Sequence, residues 1–509
     1  MTDGRTVRLW VGVAVCLLAA AAIIPSSPRA AAHRHLLIIV DGLRPDYVTP
    51  DVMPNLVDLG KRGVVFRRHH SVYPTVTRVN AASISTGAYP ETHGLMGNSV
   101  FFPSVDPTRF LDTADKNNLE KVAAAEGRLL TAPTLAEALQ AAGRRMLVVS
   151  SGSGGSALLN NSTVAGGAIL HYQFSIPDRL ADDLKLLGPP PPEKARGGEL
   201  DRYAVDAFLK VGIPRVDPSV TVMWLSDLDT AAHDNGIGAS ATVATLKRVD
   251  ENVGRIQDGL RAAGLLDDYD IWVSSDHGFS TYTGAPDVVS ILKPFARTLP
   301  DGSPRIVSGG GAIYVRDGDE AAIAGIVSAL QGTPKVGAIF TRAAVPGELA
   351  GHVPGTLSFD AVRWLHPRAA HILFSPDWTD APNASGWRGS SSSNGTAGHG
   401  SSSPWDVHNT LIAAGPDLKH GEVSDIPSAN VDLAPTFLSL LGIDLLPTMQ
   451  GRPLRESFTT STPPSPSWHE SGMVTGTKDK SYEVKASFSI VQADGREYRY
   501  FDRADVTRK

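Results

Sequence analysis

The sequence predicts an α/β fold, a mostly parallel central sheet with helices on both faces. Two observations carry that expectation. Apolar runs of strand type alternate with helical stretches along most of the 509 residues, an order that gives parallel strands covered on both sides. Several of these runs end abruptly in Asp or His, and a doubly wound sheet keeps its active site at the carboxyl ends of its strands. The length suits one large domain with an insertion. A content of 42% hydrophobic and 20% charged residues argues for a folded chain rather than a disordered one.

The chain opens differently. Arg5 and Arg8 precede an apolar run over residues 9–24, and Ala30-Ala31-Ala32 offers small residues for cleavage. Residues 1–32 therefore read as a secretory signal peptide, with an uncleaved N-terminal membrane anchor as the alternative. Cleavage leaves 44 basic against 52 acidic residues, a formal charge of −8, and removes Cys16, the single cysteine. The mature chain then has no disulfide and no thiolate metal site. Its acidic balance argues against nucleic-acid binding beyond substrate. The expected location is secreted, periplasmic or extracellular, with no stable membrane span after cleavage.

Next, residues 35–40 read as a strand and residues 53–63 as a helix. Residues 134–142 form a helix with Thr134 and Glu137 as a capping box, and residues 146–149 a strand. Residues 241–263 form a long helix with Ser240 as a plausible N-cap, and residues 269–274 a strand. Later strands are expected at 312–315, 370–374 and 410–413, and a helix at 430–441. Low-complexity breaks fall at Pro189–Pro192, Ser390–Ser393 and Thr459–Ser467. Gly152–Gly155 and Gly309–Gly311 lack the lysine of a phosphate-binding loop and read as loops.

The strand ends carry the chemistry. Leu36-Leu37-Ile38-Ile39-Val40 runs into Asp41-Gly42. Val220 to Leu225 runs into Ser226-Asp227-Leu228-Asp229, with His233 beyond, and Ile271 to Ser274 reaches Asp276-His277-Gly278. Asp229 and His233 are four residues apart, so one helical turn brings both onto one face. Without cysteine the ligands must be His and Asp, which suits catalytic zinc. Two aspartates, two or three histidines and a hydroxyl at a helix start can build a pair of zinc sites for in-line displacement at phosphorus. Thr77 and Thr75 are equally good N-caps. A hydroxyl there feels the helix dipole and free N–H groups, which favour an incoming phosphoryl group. His399 and His408 compete for the last ligand position. His399 is preferred because it lies in a Gly-Ser loop before a strand, whereas His408 opens the strand. His69, His70 and His93 read as structural.

This pattern resembles the type I phosphodiesterase/nucleotide pyrophosphatase family of the alkaline phosphatase superfamily. The resemblance spans roughly Leu36 to Leu454. It matches the family's first metal Asp to Asp41 and its nucleophilic threonine to Thr77, in Pro74-Thr75-Val76-Thr77-Arg78-Val79-Asn80. Its phosphoryl-binding asparagine matches Asn98, after Tyr89-Pro90-Glu91-Thr92-His93-Gly94. Its Asp-x-x-x-His matches Asp229 and His233, and its Asp-His-Gly matches Asp276, His277 and Gly278. Its closing Thr-His-Gly resembles Gly398-His399-Gly400. Arg78-Val79 depart from the family's aromatic-proline pair, and Gly398 from its threonine.

The resemblance implies an alkaline-phosphatase-like catalytic domain over 33–455, with a cap inserted at about 281–398, and a C-terminal extension over 456–509. It implies two Zn2+ or other divalent ions. Asp41, Thr77, Asp276 and His277 would surround one, and Asp229, His233 and His399 the other. The implied enzyme acts on small-molecule phosphate esters, diesters or nucleotide pyrophosphates, through a phospho-threonine. Asn98 would hold a non-bridging oxygen, and Arg78 would add to substrate binding. The alternatives are a phosphomonoesterase or phosphonate hydrolase, and, in another class, a non-catalytic metal-binding surface protein. Monoester-preferring relatives carry a Lys-x-Arg pair just before the stretch matching Gly167-Ala168-Ile169-Leu170. Ser162-Thr163-Val164-Ala165-Gly166 holds no base, so diesters are expected to react faster.

Overall fold

The computed structural model describes residues 33–461 and 465–509 along with Met1, and residues 33–509 form one compact unit. The expected signal peptide lies outside the described residues. Among those described, no helix is long and apolar enough to cross a membrane.

A nine-stranded sheet is the centre of the molecule. Its order is Glu422–Ser424, Val64–Phe66, Leu411–Ala414, Tyr269–Ser274, Arg34–Val40, Val220–Leu225, Met146–Ser150, Ala168–His171 and Phe174–Ile176. The five strands from Tyr269–Ser274 to Ala168–His171 run parallel. Their side chains alternate between two buried layers, as the pleat requires. Leu37, Ile39, Trp224 and Trp272 face one layer, where the helices Thr77–Thr86 and Leu433–Leu440 pack. Leu36, Ile38, Val40 and Val273 face the other, against the helix Ser240–Ala262. Helices on both faces bear out the expected class.

Several local expectations need correction. Leu411–Ala414 runs antiparallel to Tyr269–Ser274, because its chain arrives from the site's edge rather than from a crossover helix. The long helix is capped by Ala239, not Ser240, whose side chain makes no capping bond. Ser153 caps a helix, Gly154–Asn160, where a loop was expected. The serine-rich break contributes a strand, Arg388–Ser391, because flanking partners complete its ladder.

Residues between 281 and 398 include a second, five-stranded sheet built from Ile306–Gly309, Ala312–Val315, Ile372–Pro376, Val336–Thr341 and Leu357–Ser358. Near the carboxyl end, Ser467–Gly476, Tyr482–Ala493 and Arg496–Arg508 form an antiparallel three-stranded sheet. Its turn at Asp494-Gly495 has both residues at positive φ, the geometry of a tight hairpin.

Candidate metal centre

Parallel register sets the site. Ile39 pairs with Ser274 and Val40 with Leu225, so the residues just beyond all emerge at one edge. Asp41 leaves the first strand at a turn where Gly42 has φ +75° and packs against Phe279. The backbone N–H of Leu43 donates to Ser275 Oγ at 2.8 Å, tying the two strand ends together. After Leu225 the chain enters the helix Asp227–Asn235, which carries Asp229 and His233. That junction is held by Asp201, a buried carboxylate accepting from Ser151 Oγ at 2.6 Å and from Ser226 N at 3.0 Å.

Two clusters result: Asp41, Asp276 and His277, and Asp229, His233 and His399. In each, one potential ligand atom per residue lies within 4.8 Å of the others. His277 Nε2 is 3.1 Å from Asp276 Oδ2 and 3.4 Å from Asp41 Oδ1. His233 Nε2 and His399 Nε2 are 3.2 and 3.5 Å from Asp229 Oδ1. The His277 and His399 rings stack with centroids 3.4 Å apart, so the two clusters adjoin.

The histidine tautomers follow from geometry. Each Nδ1 lies against a backbone carbonyl, which can only accept: His277 on Gly278 O at 2.9 Å, His233 on Ala397 O at 2.8 Å and His399 on Thr75 O at 2.9 Å. Nδ1–H therefore donates outward and Nε2 turns inward, the arrangement that orients metal-ligating imidazoles. The carboxylates are tethered in the same sense. Asp41 Oδ2 accepts from Trp224 Nε1 at 2.9 Å, and Asp276 Oδ1 from Gly42 N at 3.2 Å. Asp41 Oδ1, Asp276 Oδ2 and Asp229 Oδ1 are buried without a hydrogen-bond partner.

Burial, then the neighbouring Asp276 and Asp229 carboxylates, push the Asp41 carboxyl well above its usual range. Orphaned anionic oxygens this close together are costly unless a cation lies among them. Oxygen and imidazole donors of this kind fit divalent ions such as Zn2+.

The hydroxyl choice also resolves. Neither threonine is the N-cap of the helix Thr77–Thr86, since Val76 holds that position. Thr75 Oγ1 donates to Ser401 O at 2.9 Å and accepts from Gly400 N at 3.1 Å, fully buried. It fastens the loop that carries His399. Thr77, in the first helical turn, puts Oγ1 3.3 Å from His277 Nε2. Asn98 sits beside it, its Oδ1 accepting from Arg78 N at 3.0 Å, which leaves Nδ2 to donate elsewhere. Arg78 is not a solvated side chain: its Nε is buried without a partner, and its nearest carboxylate, Asp112, is 4.0 Å away. Burial lowers the pKa of this guanidinium, and Asp112 offsets that in part. His408 stands apart, by His70 and Asp502.

The ground for the diester expectation does not hold. Ala168 pairs with Leu147 near the amino ends of their strands, and Gly166 and Gly167 lie against Gln140 and Met146. Residues 162–166 therefore lie at the edge of the sheet opposite Asp41. The lack of a base there says nothing about the phosphate pocket.

Three supporting groups escaped the sequence reading. Trp224 orients Asp41. Asp406 accepts from Ser280 Oγ and from Ser401 N and Oγ, bracing the His399 loop. Tyr282 donates to His399 O at 3.1 Å, and a Cβ on Gly398 would overlap its hydroxyl. That overlap accounts for glycine where the family pattern has threonine.

The sequence profile of the type I phosphodiesterase/nucleotide pyrophosphatase family matches residues 35–389. Ectonucleotide pyrophosphatase/phosphodiesterase family member 1 of Homo sapiens is 26% identical over 283 residues, 53% of this chain and 27% of that protein. Family member 3 of Rattus norvegicus is 25% identical over 247 residues, 48% of this chain and 24% of that protein. This chain thus spans about a quarter of the length of the curated relatives it matches. Among solved structures, murine ectonucleotide pyrophosphatase/phosphodiesterase 5 superposes with TM-score 0.58 at 17% identity, over 84% of this chain and 100% of that one. A variant of alkaline phosphatase PafA superposes with TM-score 0.65 at 16% identity, over 85% and 100%. These structures share the fold.

Proposed function

Because this chain belongs to the type I phosphodiesterase/nucleotide pyrophosphatase family, we propose that it hydrolyses phosphate esters, foremost phosphodiesters or nucleotide pyrophosphates, through a phospho-threonine at Thr77. The observation that carries this reading is the pair of adjoining clusters, with inward Nε2 and orphaned carboxylate oxygens, beside a hydroxyl at a helix start. Asp41, Asp276 and His277, joined by Thr77, would hold one divalent ion, and Asp229, His233 and His399 the other. Two such ions, Zn2+ by donor type, would supply Lewis acidity and favour the Thr77 alkoxide.

Thr77 Oγ attacks phosphorus in line, and its bond to phosphorus forms as the bond to the leaving oxygen breaks. Asn98 Nδ2 donates to a non-bridging oxygen as charge develops. Water then splits the phospho-threonine and restores the hydroxyl. The cap reading of residues 281–398 is supported by Tyr282 and Gly398 at the site's wall, and 456–509 is read as a C-terminal extension that packs back on the rest through Ala504 and Asp502. Export rests on residues 1–32 alone and is tested by N-terminal sequencing of the mature protein. A purely metal-binding role is disfavoured by the complete donor set together with the placed hydroxyl.

Thr77→Ala should lower kcat by at least about a thousandfold with metal content unchanged. Full activity in Thr77→Ala would reassign the nucleophile. Arg78 favours a second reading, monoester hydrolysis, because its largely buried guanidinium, with Nε unpartnered and Asp112 4.0 Å away, suits the extra charge of a monoester. Comparing kcat/KM for p-nitrophenyl phosphate and its thymidine diester decides between the two.

A further inference from the structure

The amino-terminal edge of the sheet, opposite the candidate metal centre, holds a third cluster. His35 and Asp270 are register partners on adjacent central strands, and both side chains are fully buried, with His35 Nδ1 3.1 Å from Asp270 Oδ2. That separation would suit a hydrogen bond, yet none forms. Both His35 ring nitrogens and Asp270 Oδ2 remain without partners. The other Asp270 oxygen accepts from the backbone N–H of Asp417 at 3.0 Å, which draws the Asp417 side chain in. Ligand atoms of His35, Asp270 and Asp417 lie within 4.8 Å of one another. His33 Nδ1 stands 2.9 Å from Asp417 Oδ1.

A sealed imidazole and carboxylate should hydrogen-bond, because leaving them unpaired is costly. One cation placed between them would take up Asp270 Oδ2 and the His35 nitrogen that faces it. Asp41, Asp276 and Asp229 show the same signature: ligand atoms 3.1–3.5 Å from an imidazole nitrogen, with one oxygen unpartnered. The cluster of His70, His408 and Asp502 lacks it. There His70 Nε2 makes an ordinary 2.7 Å hydrogen bond to Asp502, so that pair needs no ion.

We propose that His35, Asp270 and Asp417 bind a divalent transition-metal ion, Zn2+ by donor type, with His33 holding the Asp417 carboxylate by a hydrogen bond at the rim. One imidazole and two carboxylates supply three ligands, at the edge of the sheet opposite the candidate metal centre. The ion fastens the entry of the chain into the sheet to the strand Tyr269–Ser274 and to the turn at Asp417. His33 and Asp417 are about one-third exposed and give it a route in from solvent.

His33→Gln and Asp417→Asn alter only this half-exposed rim and leave the buried pair in place. Zinc-loaded Asp417→Asn should carry one equivalent less zinc per chain than the unsubstituted protein, and His33→Gln should bind that equivalent more weakly, with kcat/KM on a phosphodiester unchanged within about twofold in both. Crystals of the unsubstituted protein should show an anomalous zinc peak among the side chains of His35, Asp270 and Asp417. The same peak should persist in Asp229→Ala, which removes a ligand at the opposite edge, so the two sites are read separately. Unchanged zinc content in both rim variants, or no anomalous peak between His35 and Asp270, would overturn the proposal.

Discussion

Arg78 is the residue whose surroundings differ most from what its neighbours in sequence suggest. A guanidinium at the start of a helix is usually wet, yet this one is largely buried, has no partner for Nε and no carboxylate closer than 4.0 Å. Arg78→Met keeps the stem and removes the charge. It should lower kcat/KM for p-nitrophenyl phosphate by about 10- to 100-fold, since a charged hydrogen bond contributes about 1.5–3 kcal/mol. The loss on a diester should be smaller, and equal losses on both substrates would mean that Arg78 does not sense the extra charge.

At this scale most candidate ligands were legible because they stand at a strand end or one helical turn beyond it, and His399 because it lies in a Gly-Ser loop. Their braces were not. Asp406 meets Ser280 across 126 positions, and Trp224 meets Asp41 across 183, and no local pattern announces such pairs.

Among the elements, the short helix Pro90–His93 shows how local geometry becomes pH dependence. Leu95 N donates to His93 Nδ1 at 3.1 Å, so the ring presents Nε2–H to Ser83 Oγ at 3.0 Å and is neutral. Burial lowers its pKa from an ordinary 6.5 to about 3. The native state therefore binds fewer protons than the unfolded chain between those values. The contribution to stability is present in full above about pH 6.5 and is lost progressively as pH falls towards 3. The slope from this one residue is about 1.4 kcal/mol per pH unit. Urea midpoints at pH 7 and pH 5 should differ less in His93→Gln than in the unsubstituted protein. An unchanged difference would place the acid sensitivity elsewhere.

Element type was readable wherever periodicity was long, as in the helix Ser240–Ala262 and the central strands. The three-stranded sheet was missed although its signal is strong. Tyr482, Val484, Ala486, Phe488 and Ile490 alternate inward ahead of an Asp-Gly turn, the usual hairpin signature. Direction along the sheet was less accessible, because pairing sense depends on which distant strand lies alongside.

For the whole molecule, ions held by the two clusters at the carboxyl edge would make stability depend on metal. Three buried carboxylates with unpartnered oxygens repel one another until a cation intervenes. An ion that binds only the folded state at a hundred times its Kd stabilises by about 2.7 kcal/mol per site. Excess chelator should lower Tm by several degrees, and added Zn2+ should restore it. Asp229→Asn should reduce that response, whereas a chelator-insensitive Tm in the unsubstituted protein would argue against bound ions.

The C-terminal sheet also bears on time. The Ala504 carbonyl accepts from Ser402 Oγ at a sequence separation of 102 residues, and the Ala504 N–H bonds back to the Ser402 carbonyl. Ser402 lies three residues beyond His399. During synthesis the loop leaves the ribosome long before its buttress, by roughly 5–20 s at about 5–20 residues per second. Throughout that interval the His399 loop lacks its far wall. Translation speed thus sets when the His399 loop first gains its far wall.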